Sequence, residues 1–101
     1  MTQHLFYNGE IVSSAGVLTG WVLVEGGRIA EIGSGDMPEG VLRKTDLGGR
    51  LLAPGLIDLH VHGAVGCDTM DARPDSLRKM AAYYAQHGVT SFLATTLTAS
   101  Q

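Results

Sequence analysis

Hydrophobic residues in the first fifty positions come in short runs divided by turn-forming pairs. Leu5-Phe6-Tyr7 and Glu10-Ile11-Val12 flank Asn8-Gly9, and Asn-Gly is a strong hairpin signal because both residues tolerate the positive φ of a type I′ turn. Gly26-Gly27 divides Trp21-Val22-Leu23-Val24-Glu25 from Arg28-Ile29-Ala30-Glu31-Ile32, and Gly48-Gly49 precedes Arg50-Leu51-Leu52. In the run after Gly27, apolar Ile29 and Ile32 stand beside charged Arg28 and Glu31, with one slip in the two-residue period. Residues 33–44, with Gly33, Gly35, Pro38 and Gly40, read as a loop. The pattern predicts a series of hairpins over residues 1–52. Such a small antiparallel sheet is too thin to bury two faces unaided.

After residue 52 the pattern changes. Pro54-Gly55 marks a turn, and residues 56–62 alternate as a strand, with Ile57, Leu59 and Val61 on one face and Asp58, His60 and His62 on the other. A glycine-rich loop follows over residues 63–68. Pro74 suits a first helical position, and Asp75 suits the positive end of the helix dipole. Leu77, Met80, Ala81, Tyr84 and Ala85 then form one apolar stripe. Gly88 is placed to close the helix behind His87, and residues 89–96 are β-branched enough for a second strand. The fold class is α/β with a β-rich start, in which residues 53–101 make one β-α-β unit with parallel strands. A parallel sheet needs cover on both faces. One crossover cannot supply it, so the chain reads as the front of a longer protein.

Composition narrows the function classes. The chain is 45% hydrophobic and 17% charged with 14 glycines, which suits a compact, turn-rich chain and argues against disorder. Net charge is −3 with no block of Lys or Arg, which argues against nucleic acid and anionic membrane as partners. No basic leader opens the chain, and the uncharged runs at residues 11–24 and 88–101 fall short of the roughly 20 apolar residues of a membrane span. A lone Cys67 cannot form an internal disulfide, so a reducing cytoplasm is the expected setting.

His60-Val61-His62 is the sharpest chemical feature. Two imidazoles at i and i+2 leave a strand on the same side with Cα atoms about 6.6 Å apart, close enough to converge on one ion. They stand at the carboxyl end of the strand, where parallel α/β folds build their sites. A bare His-x-His also fits two hydrogen-bonded polar residues on a half-buried face; Asp58, the flanking Pro-Gly and the glycine loop favour the metal. Asp58 reads either as an outer partner that orients an imidazole or the strand end, or as a carboxylate satisfied by backbone donors. Asp68, Asp71 and Asp75 suit loop and capping roles, and Cys67 lacks a cation or helix terminus to activate it. His4 and His87 fit the surface, while Trp21, Tyr83 and Tyr84 fit packing.

The run Pro54-Gly55-Leu56-Ile57-Asp58-Leu59-His60-Val61-His62-Gly63 resembles the first barrel strand of the amidohydrolase superfamily, and the hairpins before it resemble that superfamily's small β-sandwich domain. Dihydroorotases, hydantoinases and deaminases share the motif. Val65-Gly66-Cys67-Asp68-Thr69-Met70-Asp71-Ala72 and Gly88-Val89-Thr90-Ser91-Phe92-Leu93-Ala94-Thr95-Thr96 are similar to the N-acetylglucosamine-6-phosphate deacetylase family. The resemblance implies part of a β-sandwich over residues 1–52 and the first β-α-β of a TIM barrel over 53–101. It also implies hydrolysis of the acetamide of an amino-sugar phosphate by a water activated on a divalent metal, Zn²⁺ first among the candidates. His60 and His62 match the family's first ligand pair, and Asp58 stands behind them. The remaining ligands, the catalytic aspartate and the phosphate-binding residues would lie beyond residue 101, so no catalytic residue is assigned and the chain alone is expected to be inactive. The whole protein is expected to be a cytoplasmic homo-oligomer. Another amidohydrolase, or a truncated non-catalytic chain, is the alternative.

Overall fold

In the computed structural model, which describes residues 2–100, the chain divides into two units, one ending at Pro54 and the other beginning at Gly55. The first is a five-stranded sheet built on β1 (Gln3–Ser13). Strand β2 (Gly16–Glu25) pairs antiparallel with β1, and β3 (Arg28–Gly33) pairs antiparallel with β2 across the expected Gly26-Gly27 turn. Strands β4 (Lys44–Asp46) and β5 (Leu51–Leu52) both lie parallel to β1. The sheet is therefore mixed, and the expectation of a wholly antiparallel one is corrected. Residues 34–43 carry the chain back past two strands, so β4 starts from the same end as β1.

Asn8-Gly9 is not a hairpin turn. Strand β1 runs straight through it, and the register against β2 shifts between Phe6 and Gly9 as in a β-bulge. Asn8 takes the positive φ that the pair favours, 58°, without reversing the chain. The reversal falls at Ser14-Ala15, where Ser13 pairs with Gly16 and the Ser13 hydroxyl oxygen accepts from the Ala15 N–H at 3.2 Å. A Ser-Ala pair carries little turn signal of its own.

The bulge has a packing purpose. Leu5 pairs with Leu23 and Phe6 with Val22, so these two pairs face opposite sides of the sheet. Leu5, Trp21, Leu23 and Val41 form one buried cluster, and Ile11 joins Val22 and Leu47 in the other. Without the extra residue, Ile11 would point to the Leu5 side. Each face thus acquires a small core, one closed by the 34–43 loop and the other by the turn after β4. Gly9 makes room for that turn: a Cβ there would come within 2.7 Å of the Arg50 carbonyl oxygen.

Asn8 also donates to the Asp46 carboxylate at 2.8 Å, and the Gly48 N–H reaches the same oxygen at 2.8 Å. The Asn8 amide first, and then the Gly48 N–H, hold the Asp46 carboxyl below the usual carboxylate range. Asn8→Gly is expected to keep the bulge, whereas Asn8→Val forces a β-branched residue to positive φ at a cost of about 1–2 kcal/mol. A depressed carboxyl supports folding above its unfolded pKa, and that support fades as pH falls through the native value. Both variants should therefore flatten the acid limb of a melting-temperature profile.

In the second unit, β6 (Leu56–Val61) pairs parallel with β9 (Val89–Ala94), joined through α1 (Pro74–Gln86). Pro74 is the first helical residue and Gly88 takes φ +83° after the helix, as their types predict. Two expectations are corrected. Residues 63–68 form a minimal hairpin, β7 (Gly63–Ala64) and β8 (Cys67–Asp68), because Val65 and Gly66 both adopt positive φ. In the expected α1 stripe Met80 is buried and Ala81 and Tyr84 are half-buried, but Leu77 stays 40% exposed and Ala85 is exposed, and Ser76 takes the other buried place. On β6, Val61 is buried but Ile57 and Leu59 remain 65% and 69% exposed, since two strands and one helix offer too little surface to cover them. Among the described residues, no helix is long and apolar enough to cross a membrane.

Candidate metal centre

Strand β6 carries His60 near its end and delivers His62 just beyond it, and their rings meet. The two Nε2 atoms stand 3.0 Å apart with ring planes at 80°. The His62 Nδ1 lies 3.1 Å from the Thr95 carbonyl oxygen. A carbonyl only accepts, so Nδ1 carries a proton, and Nε2 is the nitrogen turned toward His60 and left to bind an ion. Two nitrogens with this separation can both bind one ion at about 2.0–2.1 Å. The donor chemistry and the fixed tautomer fit a divalent cation.

The backbone around His62 is equally constrained. Its carbonyl accepts from the Thr69 N–H at 2.7 Å, and the Thr95 N–H reaches the Val61 carbonyl at 2.8 Å. Asp58 accepts from the backbone N–H of His60 at 3.2 Å, a hydrogen bond that holds the strand end rather than an imidazole. Tyr84 on α1 donates its hydroxyl to the Gly63 carbonyl at 3.0 Å. Burial, and then the negative charge of Asp58, raise the Tyr84 phenol above its ordinary pKa.

The other acids have structural work. Asp68 caps the short 3-10 turn Thr69–Asp71 by accepting from the Met70 N–H at 2.8 Å. Asp71 accepts from the Asp68 N–H and the Ser76 hydroxyl, each at 2.9 Å, which hold its carboxyl below the usual range. Asp75 pairs with Arg78 at 2.8 Å on the exposed helix face. Cys67 is half-buried in β8. In the first unit His4 stacks on Phe6 and lies 2.7 Å from the Thr45 hydroxyl; in the second, His87 leans on Tyr83. Among the described residues, no group of three or more His, Cys, Asp or Glu side chains is arranged to hold a metal. The sequence reading missed Thr69, Thr95 and Tyr84 as supports, since the Thr95 and Thr69 contacts run through backbone atoms that any residue carries.

No protein-family model matches the chain. It is 65% identical over 48 residues to N-acetylglucosamine-6-phosphate deacetylase of Vibrio furnissii, a match covering 48% of this chain and 12% of that protein. It is 51% identical over 55 residues to N-acetylgalactosamine-6-phosphate deacetylase of Escherichia coli, covering 54% of this chain and 15% of that one. The crystal structure of N-acetylglucosamine-6-phosphate deacetylase from Pasteurella multocida superposes with a TM-score of 0.88 at 33% identity, covering 97% of this chain and 26% of that chain. The chain thus spans about a quarter or less of the length of these relatives.

Proposed function

We propose, for a chain that corresponds to the amino-terminal portion of N-acetylglucosamine-6-phosphate deacetylases, that the whole protein hydrolyses the acetamide of N-acetylglucosamine 6-phosphate to glucosamine 6-phosphate and acetate. On this reading the first unit is part of a small β-sandwich, and the second is the first β-α-β of a (β/α)8 barrel. His60 and His62 then sit at the carboxyl end of the first barrel strand, the end at which such barrels place their chemistry.

The observation that carries the reading is the imidazole pair, with Nε2 atoms 3.0 Å apart and the His62 tautomer set by Thr95. A divalent cation held there, with zinc the first candidate, supplies a Lewis acid that lowers the pKa of water and polarises an acyl carbonyl. The chain's own part is to present two imidazole nitrogens side by side, with the His62 ring oriented by Thr95. The Thr95 carbonyl accepts a hydrogen bond from the His62 Nδ1–H and so leaves Nε2 as the nitrogen that faces the ion, and Asp58 keeps the main chain at His60 in place. A catalytic zinc takes three protein ligands, so the reading requires a further donor besides this pair.

The E. coli relative favours a second substrate that differs only in the configuration of one sugar hydroxyl. Acetate release by the whole protein, measured with N-acetylglucosamine 6-phosphate, N-acetylgalactosamine 6-phosphate and dihydroorotate, tests both. Faster release from the glucosamine compound supports the proposal, and preference for the galactosamine compound moves it to the second substrate. Ring opening of dihydroorotate without acetate release, or no turnover by metal-loaded protein, overturns it.

A further inference from the structure

We propose that Tyr84 is a positioning residue for the His62 imidazole, acting through the Gly63 carbonyl, an inference that rests on reading His60 and His62 as a cation-binding pair. His62 lies one residue past Val61, where the pairing of β6 with β9 ends. Other contacts must therefore set its direction. Its carbonyl is taken by the Thr69 N–H at 2.7 Å and its ring by the Thr95 carbonyl at 3.1 Å. The next carbonyl, that of Gly63, is taken by the Tyr84 hydroxyl at 3.0 Å. Two successive carbonyls are thus pinned, and the His62 ring itself meets the Thr95 carbonyl through Nδ1 and the His60 ring through Nε2.

The Tyr84 hydroxyl is aimed by its own surroundings. Tyr84 continues the helical row of Ser76 and Met80, the buried residues of α1. Its ring stands edge-on to Phe92 with centroids 5.0 Å apart. Gly63 in turn is pressed onto β8, where a Cβ would overlap the Cys67 carbonyl oxygen. Releasing the hydroxyl leaves the Gly63 main chain to the β7–β8 pairing alone, which loosens the link after His62 and lets its ring drift from the Thr95 carbonyl.

Tyr84→Phe keeps the ring against Phe92 and removes only the donor. In the complete chain, Zn²⁺ affinity measured by equilibrium dialysis should fall about tenfold, the lower end of what losing an outer partner costs. The ¹⁵N shifts of the metal-free histidine rings should show His62 moving from one tautomer to a mixture. Phe92→Leu, which keeps the hydroxyl but loosens its ring, should shift both readouts the same way by less. Unchanged Zn²⁺ affinity together with an unchanged His62 tautomer in Tyr84→Phe overturns the positioning role. Tight Zn²⁺ binding that survives a double His60→Ala, His62→Ala variant overturns the pair itself, and the tautomer readout still decides the role of Tyr84.

Discussion

Replacing His60 and His62 together with alanine in the whole protein is expected to abolish tight binding of one divalent cation and, with it, acetate release. The loss should exceed the roughly 10–100-fold that removal of an outer partner causes. Each imidazole supplies one Nε2, so either ring alone is a single ligand, and the 3.0 Å between them is what lets the two bind one ion together. His62→Ala also leaves the Thr95 carbonyl without its donor. Asp58→Asn gives the contrast, because an amide oxygen can still accept the His60 N–H, so metal content should stay within a few-fold of the parent. Elemental analysis of the purified proteins reads all three. A metal content unchanged in the double variant would place the cation elsewhere.

What the sequence could tell about this site follows from which contacts are local. His60 and His62 are two residues apart, so strand alternation alone puts them side by side, and Pro74 and Gly88 announce the helix ends by residue type. Thr95 is 33 positions from His62 and contributes only a carbonyl, which no residue type advertises. The sheet shows the same division. Gly26-Gly27 turns where its composition predicts, but Asn8-Gly9 uses the same backbone freedom for a bulge because Leu47 and Arg50 close over it. The parallel pairing of β4 and β5 was illegible for a related reason. Strands of two and three residues carry no periodicity that could reveal their direction.

Leu5→Ala should cost the first unit about 2–5 kcal/mol, the range for emptying a closed apolar site. Leu5 has no exposed surface and packs with Trp21, Leu23 and Val41. Trp21 and Leu23 are held by sheet pairing and Val41 lies in the 34–43 loop, so these neighbours fill the gap only in part. A sheet of this size has a total stability of similar magnitude, so the variant should be largely unfolded in dilute denaturant. Trp21, the one tryptophan, lies in the same cluster and reports the transition by fluorescence in urea. Leu42→Ala, at a fully exposed position, should shift the midpoint by less than about 0.5 kcal/mol equivalent. A Leu5→Ala midpoint equal to that of Leu42→Ala would show that the cluster does not hold the sheet.

The parallel pairing of β4 and β5 with β1 bears on the order in which the chain can assemble. The β1-β2-β3 meander closes through short turns and can form early. The pairs Leu5 with Lys44 and Glu10 with Leu51 join residues about forty positions apart, and such closures are slow because loop entropy is lost before contacts accrue. During synthesis β1 is therefore made before the strands β4 and β5 that flank it, and its second edge is covered last. Its edge stays open until residue 52 has left the ribosome, and that interval is when an unpaired β1 is most available to another chain.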